Sequence, residues 1–396
     1  MSSNGLIRKG FGLRKVVAGD LARDYDSELV QQARAAGHRL EYPGLTVRIA
    51  AEFGFCYGVE RAVDYAYEAR ARFPDRRLIL AGEIIHNPGV NQRLSELGYQ
   101  FLGEPGRRFE DLTAEDVVLI PAFGVTMQML ERLRSVGCVL VDTTCGSVLN
   151  VWRNVESFAK SGFTSVIHGK WNHEETRATA SRALQHSDGG YLIVRDMDEA
   201  EYVARYIEIP GNRVEFLERF RDEISPSFDP DQDLERIGVA NQTTMLSSES
   251  LAIADRLREA MRRRYGEAEL AARFRSFDTI CSATQDRQDA VRQLIAESPD
   301  VMIVVGGFNS SNTGHLAEIC SESAPTFHVE GADDLLDRQR IRCKPVGGAG
   351  PGVVEGWLPE RAITVGLTAG ASTPDREIGR LIHRLLEIRR IPPDAA

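Results

Sequence analysis

The 396-residue chain is 42% hydrophobic and 27% charged, with a formal net charge of −10. These are globular values, the length allows two or three domains of about 100–200 residues each, and the acidic balance argues against a nucleic-acid protein, which would show a basic face. No apolar run approaches the roughly 20 residues of a membrane span, and the opening MSSNGLIRKGFGLRK is basic without the apolar core of a secretory signal. Asp20, Asp24, Asp26 and Glu28 follow at once, which argues against a transit peptide, so a cytoplasmic protein is expected.

Residues 1–45 are predicted to form a polar extension with one helix in DSELVQQARAAG. The compact part opens with the strand LTVRIAAEFGF and the helix VERAVDYAYEARARF. Strands then follow in RLILAG and DVVLIPAFG, a helix in VTMQMLERLRSVG, a strand in CVLVDTTC and a helix in SVLNVWRNVESFAKSG. Further on come the strands TSVIHG, GYLIV, IGVAN and MIVVGG, the helix HLAEICSES and the strand AITVGLTAG. Ahead of IGVAN, the stretch EIPGNRVEFLERFRDEISPSFDPDQDLERIG is polar, carries three prolines and is read as a surface insertion or connection. Strands alternating with amphipathic helices predict an α/β protein with parallel sheets.

The six cysteines are widely scattered, which does not suit a disulfide framework in a cytosolic chain. Buried thiols, metal ligands or redox residues remain. Three times an apolar strand ends in a cysteine just before a helix: VRIAAEFGFCYGVERAVDYAYEA, VLVDTTCGSVLNVWRNVESF and FRSFDTICSATQDRQDAVRQLI. Ligands gather at the carboxyl ends of strands in open α/β sheets, so Cys56, Cys145 and Cys281 are candidates to meet around one point. Three thiolates suit an iron–sulfur cluster or, less well, zinc, and on a cubane they would leave one iron open. The alternative is that each is an inert core residue. Cys138, Cys320 and Cys343 lack the pattern and are assigned to packing.

Polar residues collect at other strand-to-helix junctions. EIIHNPGVNQRL holds His86 and Asn87, HGKWNHEETRATA holds His173, Glu174 and Glu175, and ANQTTML holds Gln242, Thr243 and Thr244. VVGGFNSSNTGHLAEI presents Ser310, Ser311 and Asn312, and VGLTAGASTPDREIGRL presents Ser372 and Thr373. Such groups at helix N-termini suit a phosphate or diphosphate, although Ser, Thr and Asn are also the preferred helix caps. GGFNSSN lacks the spacing of a Walker A loop. Glu175 reads equally well as a proton relay and as a first-turn acid facing the helix dipole.

Taken in order, EFGFCYGVERAV, EIIHNPGVN, VDTTCGSV, HEE, NQTTML, DTICSATQDRQDAV, VVGGFNSSNT and TAGASTPD resemble the 4-hydroxy-3-methylbut-2-enyl diphosphate reductase family, the last step of the methylerythritol phosphate route to isoprenoids. The resemblance runs from about residue 46 to the C-terminus. The RKGFG segment and the insertion near 208–236 look like the longer form of plastids and cyanobacteria. The resemblance implies three α/β domains in a pseudo-threefold arrangement around a central [4Fe–4S] cluster. The corresponding division is an extension over 1–45 and domains over 46–145, 146–280 and 281–396. The ligands would be Cys56, Cys145 and Cys281, and the iron without a protein ligand would face the allylic hydroxyl of the substrate. His86, His173, Ser310, Ser311, Asn312 and Ser372 would hold the diphosphate. Glu175 would relay protons and Thr243 would lie near the hydroxyl. Electrons would come from an external donor such as ferredoxin or flavodoxin, since no flavin or dinucleotide fingerprint appears; no membrane and no nucleic acid are implied as partners.

Two positions depart from the family pattern. PAFGVT places Phe123 where many members carry a histidine that touches the diphosphate, which reads as a mark of the longer form. HEE places Glu174 where many have proline. Two other readings use the same cysteines: a quinolinate synthase, whose motifs do not match the ordered set, and a zinc-binding regulatory or structural protein.

Overall fold

The computed structural model describes residues 6–105, 107–186, 189–277, 279–348 and 350–392. The ends of the expected extension and tail, 1–5 and 393–396, lie outside the described residues. Contacts group the chain into two compact units. One takes in Leu6–Ile7 and Arg108–Cys281, the other Arg8–Arg107 and the chain from Ser282 onwards.

The first unit is built on parallel strands. Val139–Asp142 lies between Leu6–Ile7 and Val117–Ile120. A second sheet runs Phe274–Ser276, Ile237–Asn241, Thr164–His168, Tyr191–Val194, again all parallel. Its two central strands are buried along their whole length, as expected when helices cover both faces. Gly238 belongs in that strand because a Cβ there would come within 2.5 Å of the Phe158 ring, which packs across it from the helix Gly146–Lys160. Asn241 pairs with His168 in register. The loops that leave these two strands therefore start from the same level.

The second unit centres on a five-stranded sheet in the order Thr326–Val329, Val301–Val305, Ile363–Ala369, Leu45–Ile49, Arg39–Tyr42. All pairs are parallel except the last. Val305 pairs with Ala369 and Leu367 with Ile49, so three consecutive strands also end close to level. The unit adds a parallel pair, Leu78–Leu80 with Tyr99–Phe101, and an antiparallel hairpin, Arg340–Cys343 with Gly352–Glu355. The fold is thus α/β with predominantly parallel sheets.

Two expectations change. The stretch read as a polar surface insertion contributes core: Phe216 and Phe220, four apart on the helix Arg213–Arg219 and its cap, are 0% and 1% exposed, and Phe228 is 5% exposed. Phe216 stacks on Phe228 at 6.1 Å and meets Tyr206 at 4.8 Å. Charged residues flank each aromatic and hide the pattern. The N-terminal residues carry more structure than one helix: Arg14–Tyr25 and Glu28–Ala35 are both helical, and Arg39–Tyr42 forms the sheet edge. Val17, Tyr25, Val30 and Ala33 are the residues these helices bury. Among the described residues no helix is long and apolar enough to cross a membrane.

Candidate functional site

The cysteines divide into two groups. Cys56 and Cys145 are the N-cap residues of the helices Tyr57–Arg72 and Gly146–Lys160, and Cys281 directly precedes the helix Ser282–Ala296. All three are partly exposed. Cys138, Cys320 and Cys343 are buried, as expected for packing residues. Burial pushes the Cys320 thiol up to about 12 and raises Cys343, so both stay protonated. The other three each stand at the start of a helix, where the backbone N–H groups of the first turn are unpaired within the helix. The donor set therefore fits an iron–sulfur centre chemically.

Each of these loops is tied to its own sheet. The Cys145 N–H donates to Ala122 O at 2.9 Å, the Cys281 N–H to Thr243 O at 3.2 Å, and the Cys56 N–H to Ala371 O at 3.1 Å. Gly54, two residues before Cys56, has φ +80°, a left-handed turn that suits glycine. Its carbonyl accepts from the buried Arg287 guanidinium at 2.7 Å. Arg287 was not singled out from the sequence as a site residue.

In the first unit Glu175 is 1% exposed and both its oxygens are held by Thr243: the backbone N–H donates at 2.6 Å and the hydroxyl at 3.0 Å. This closeness follows from the register that ends Thr164–His168 and Ile237–Asn241 together. Gln242 locks the two loops, its Oε1 accepting from Lys170 N–H and Thr176 Oγ1 while its Nε2 donates to Thr244 Oγ1. His173 caps the helix Glu174–Ala183, its Nδ1 accepting from the Glu175 N–H at 3.1 Å. That bond assigns the ring proton to Nε2, making Nε2 the donor. Phe123 meets the His173 ring edge-on, centroids 5.6 Å apart. Glu174, next to Glu175, is exposed.

In the second unit His86 is 6% exposed, and its Nδ1 lies 3.0 Å from Glu83 Oε2. The bond from His86 holds the Glu83 carboxyl below its usual range. Asn309 donates to the same Glu83 oxygen at 3.1 Å. Ser372 Oγ donates to the His86 carbonyl at 3.0 Å, joining two loops that leave different strands. Ser310 caps the helix Ser311–Ser321 by accepting from the Thr313 N–H. Behind it Ser311 and Asn312 are each 3% exposed. The Ser311 hydroxyl and both amide atoms of Asn312 have no hydrogen-bond partner among the described residues. Buried polar groups are normally satisfied, so these atoms could bind a ligand at the positive end of a helix. Glu83 and Asn309 escaped notice in the sequence; the only signal was the i,i+3 spacing of Glu83 and His86 in GEIIHN.

All these residues follow the carboxyl end of a strand, where binding loops of α/β sheets lie.

Comparison with known proteins adds a family. Residues 47–386 match the family model described as LytB protein. A protein of Thermosynechococcus vestitus named 4-hydroxy-3-methylbut-2-enyl diphosphate reductase is 46% identical over 393 residues, covering 98% of this chain and 96% of its own. Another of that name from Gloeobacter violaceus is 47% identical, covering 100% of this chain and 95% of its own. A solved structure of (E)-4-hydroxy-3-methyl-but-2-enyl diphosphate reductase, the terminal enzyme of the non-mevalonate pathway, is 28% identical with a TM-score of 0.51, covering 86% of this chain and 99% of its own. The Plasmodium falciparum reductase structure shares the fold at 20% identity, with a TM-score of 0.64 over 88% of this chain and 89% of its own.

Proposed function

The chain belongs to the LytB protein family, and from that premise we propose that Cys56, Cys145 and Cys281 hold a [4Fe–4S] cluster with one iron free of protein ligands. The activity is that of a 4-hydroxy-3-methylbut-2-enyl diphosphate reductase: two electrons and two protons remove the allylic hydroxyl as water, giving isopentenyl and dimethylallyl diphosphate. When bound, the cluster supplies the electrons and a Lewis-acidic site for the hydroxyl oxygen. Of three α/β domains over 46–145, 146–280 and 281–396, the first would contribute Cys56 and, at its last residue, Cys145, and the third would contribute Cys281 at its first residue. An external electron carrier such as ferredoxin or flavodoxin completes the reaction in the cytoplasm.

The chain's own residues do the rest. The observation that carries the substrate reading is the buried, unpartnered pair Ser311 and Asn312 at a helix start. With Ser310, Ser372 and His86 they would bind the diphosphate, and His173 would add an Nε2–H donor. Glu175, fixed by Thr243, is the proton source. A proton taken up by Glu175 passes to Thr243 Oγ1, which releases its own toward the leaving oxygen. General acids of this kind contribute about 10²–10⁴ in rate.

The test is anaerobic purification followed by iron and sulfide analysis and turnover of the allylic diphosphate with reduced methyl viologen. Iron and sulfide in equal amounts, with isopentenyl and dimethylallyl diphosphate as products, are expected. Zinc without sulfide, or no reduction by the iron-loaded protein, would overturn the reading.

A further inference from the structure

The reaction consumes electrons, and the chain shows no flavin or dinucleotide fingerprint with which to gather them itself. The basic N-terminal segment RKGFGLRK is also left without a role by the site described above. The structure lays this segment along the helix that begins at Cys56. The Arg8 carbonyl accepts from Arg61 Nη2 at 3.1 Å and from Tyr65 OH at 3.3 Å, and the Phe11 N–H donates to Glu68. Tyr57, Arg61 and Tyr65 recur every four residues and so share one face. The Arg61 guanidinium lies over the Tyr65 ring at 5.0 Å. Tyr57, joined directly to Cys56, is 81% exposed, the most exposed of the large hydrophobic side chains among the described residues. Arg8 and Lys9 are exposed where the segment passes the Arg61 and Tyr65 end of this face. The acids on the flank are engaged: Glu60 and Asp64 both pair with Arg14.

We propose that this face, Tyr57 with Arg8, Lys9 and Arg61, is where a small acidic iron–sulfur electron carrier docks to deliver electrons beside Cys56. The proposal rests on the cluster assignment made above for Cys56. Charge complementarity selects the partner. At a net charge of −10 the chain as a whole repels an acidic protein, so approach requires a local positive patch, and such steering is worth about 10–10³ in association rate. An exposed aromatic on a helix face that also carries cations is a usual anchor of protein interfaces. The chemistry balances with a one-electron carrier: two successive encounters give two electrons, which with two protons convert the C–OH to C–H and water, and each carrier leaves oxidised.

The test uses the iron-loaded protein and a reduced plant-type [2Fe–2S] ferredoxin. Two variants are compared with wild type, Arg8→Glu with Lys9→Glu, and Tyr57→Ser. Turnover is measured with ferredoxin and with methyl viologen, binding of oxidised ferredoxin by NMR titration, and both at rising salt. The charge reversal should raise KM for ferredoxin by about 10-fold or more and flatten the salt dependence. Tyr57→Ser should weaken ferredoxin binding with little change in salt dependence. Turnover with methyl viologen and iron content should stay at wild-type values in both. Ferredoxin binding and turnover unchanged in both variants would overturn the proposal, as would an equal loss with both reductants. Failure of the wild-type protein to turn over with methyl viologen would instead overturn the cluster assignment on which the docking face depends.

Discussion

In the unit built on Arg108–Cys281, three buried polar side chains beyond the strand ends are held within the protein, although Asn241 Oδ1 at the end of its strand has no partner among the described residues. Glu175 is held at both oxygens by Thr243, Gln242 bonds to three groups, and His173 uses Nδ1 to cap its own helix. In the other unit, Ser311 and Asn312 are buried just as deeply and leave their polar atoms without a partner. On the roles proposed for these residues, the difference separates two tasks. A proton-transfer group must be fixed in position before the substrate arrives, because its effect depends on reach and alignment. Groups that bind an anion can wait unsatisfied, because the ligand itself supplies the missing hydrogen bonds, at a cost in stability until it does.

The cysteines give the largest expected effect. Cys145→Ser should lose its iron and all turnover, while Cys320→Ser, at a site 0% exposed, should keep both. A Cys320 variant without iron beside a Cys145 variant with it would reverse the assignment.

Next is Glu175→Gln, which removes the titrating proton but keeps size. Turnover should fall by about 10²–10⁴-fold with iron content and substrate binding little changed. Glu174→Gln, on the exposed neighbour, should act like wild type. Anaerobic steady-state rates decide; a near-normal Glu175→Gln rate would reduce that carboxylate to a first-turn acid, and a collapse only in Glu174→Gln would move the relay by one residue.

The contrast between the units is tested most directly by a matched pair. Asn312→Leu removes two unpartnered buried atoms, so the substrate-free protein should unfold no more readily than wild type. Affinity for the diphosphate should drop by about 10- to 100-fold, the worth of hydrogen bonds to a charged group. Thr243→Val removes a made bond and strands the Glu175 oxygen, so it should cost about 1–3 kcal/mol of stability. Denaturant melts and calorimetric titration give both quantities; equal destabilisation by the two substitutions would erase the distinction.

Phe123→His carries the smallest effect. An imidazole can keep an edge-on contact with His173, and a ring pair of this kind is worth only about 0.5–1.5 kcal/mol. Turnover should stay near wild type. If the unaltered, iron-loaded protein failed to bind the substrate diphosphate, Phe123 would instead mark a lost function.

Local sequence carried much of this. The apolar runs are buried strands because alternation of strand and helix, with β-branched residues in the runs, leaves few other ways to bury them. The cysteine-before-helix pattern was readable because a cysteine in the capping position sits beside a visible change of hydrophobic period. Other features needed the fold. The aromatic core of Phe216, Phe220 and Phe228 was masked by its charged neighbours, since burial is decided by what packs from elsewhere in the chain. The helix Arg14–Tyr25 buries only Val17 and Tyr25, too little to mark it in sequence.

The sequence by itself determined the α/β class, the helix-capping cysteines and the family, because each is written in residues adjacent along the chain. Only the tertiary structure decided which polar groups are paired and which wait. Glu175 meets Thr243 because Asn241 falls opposite His168 in the sheet. Ser372 reaches the His86 carbonyl across 286 residues of chain. Strand register sets such distances, and a shift of one residue would turn every side chain to the other face.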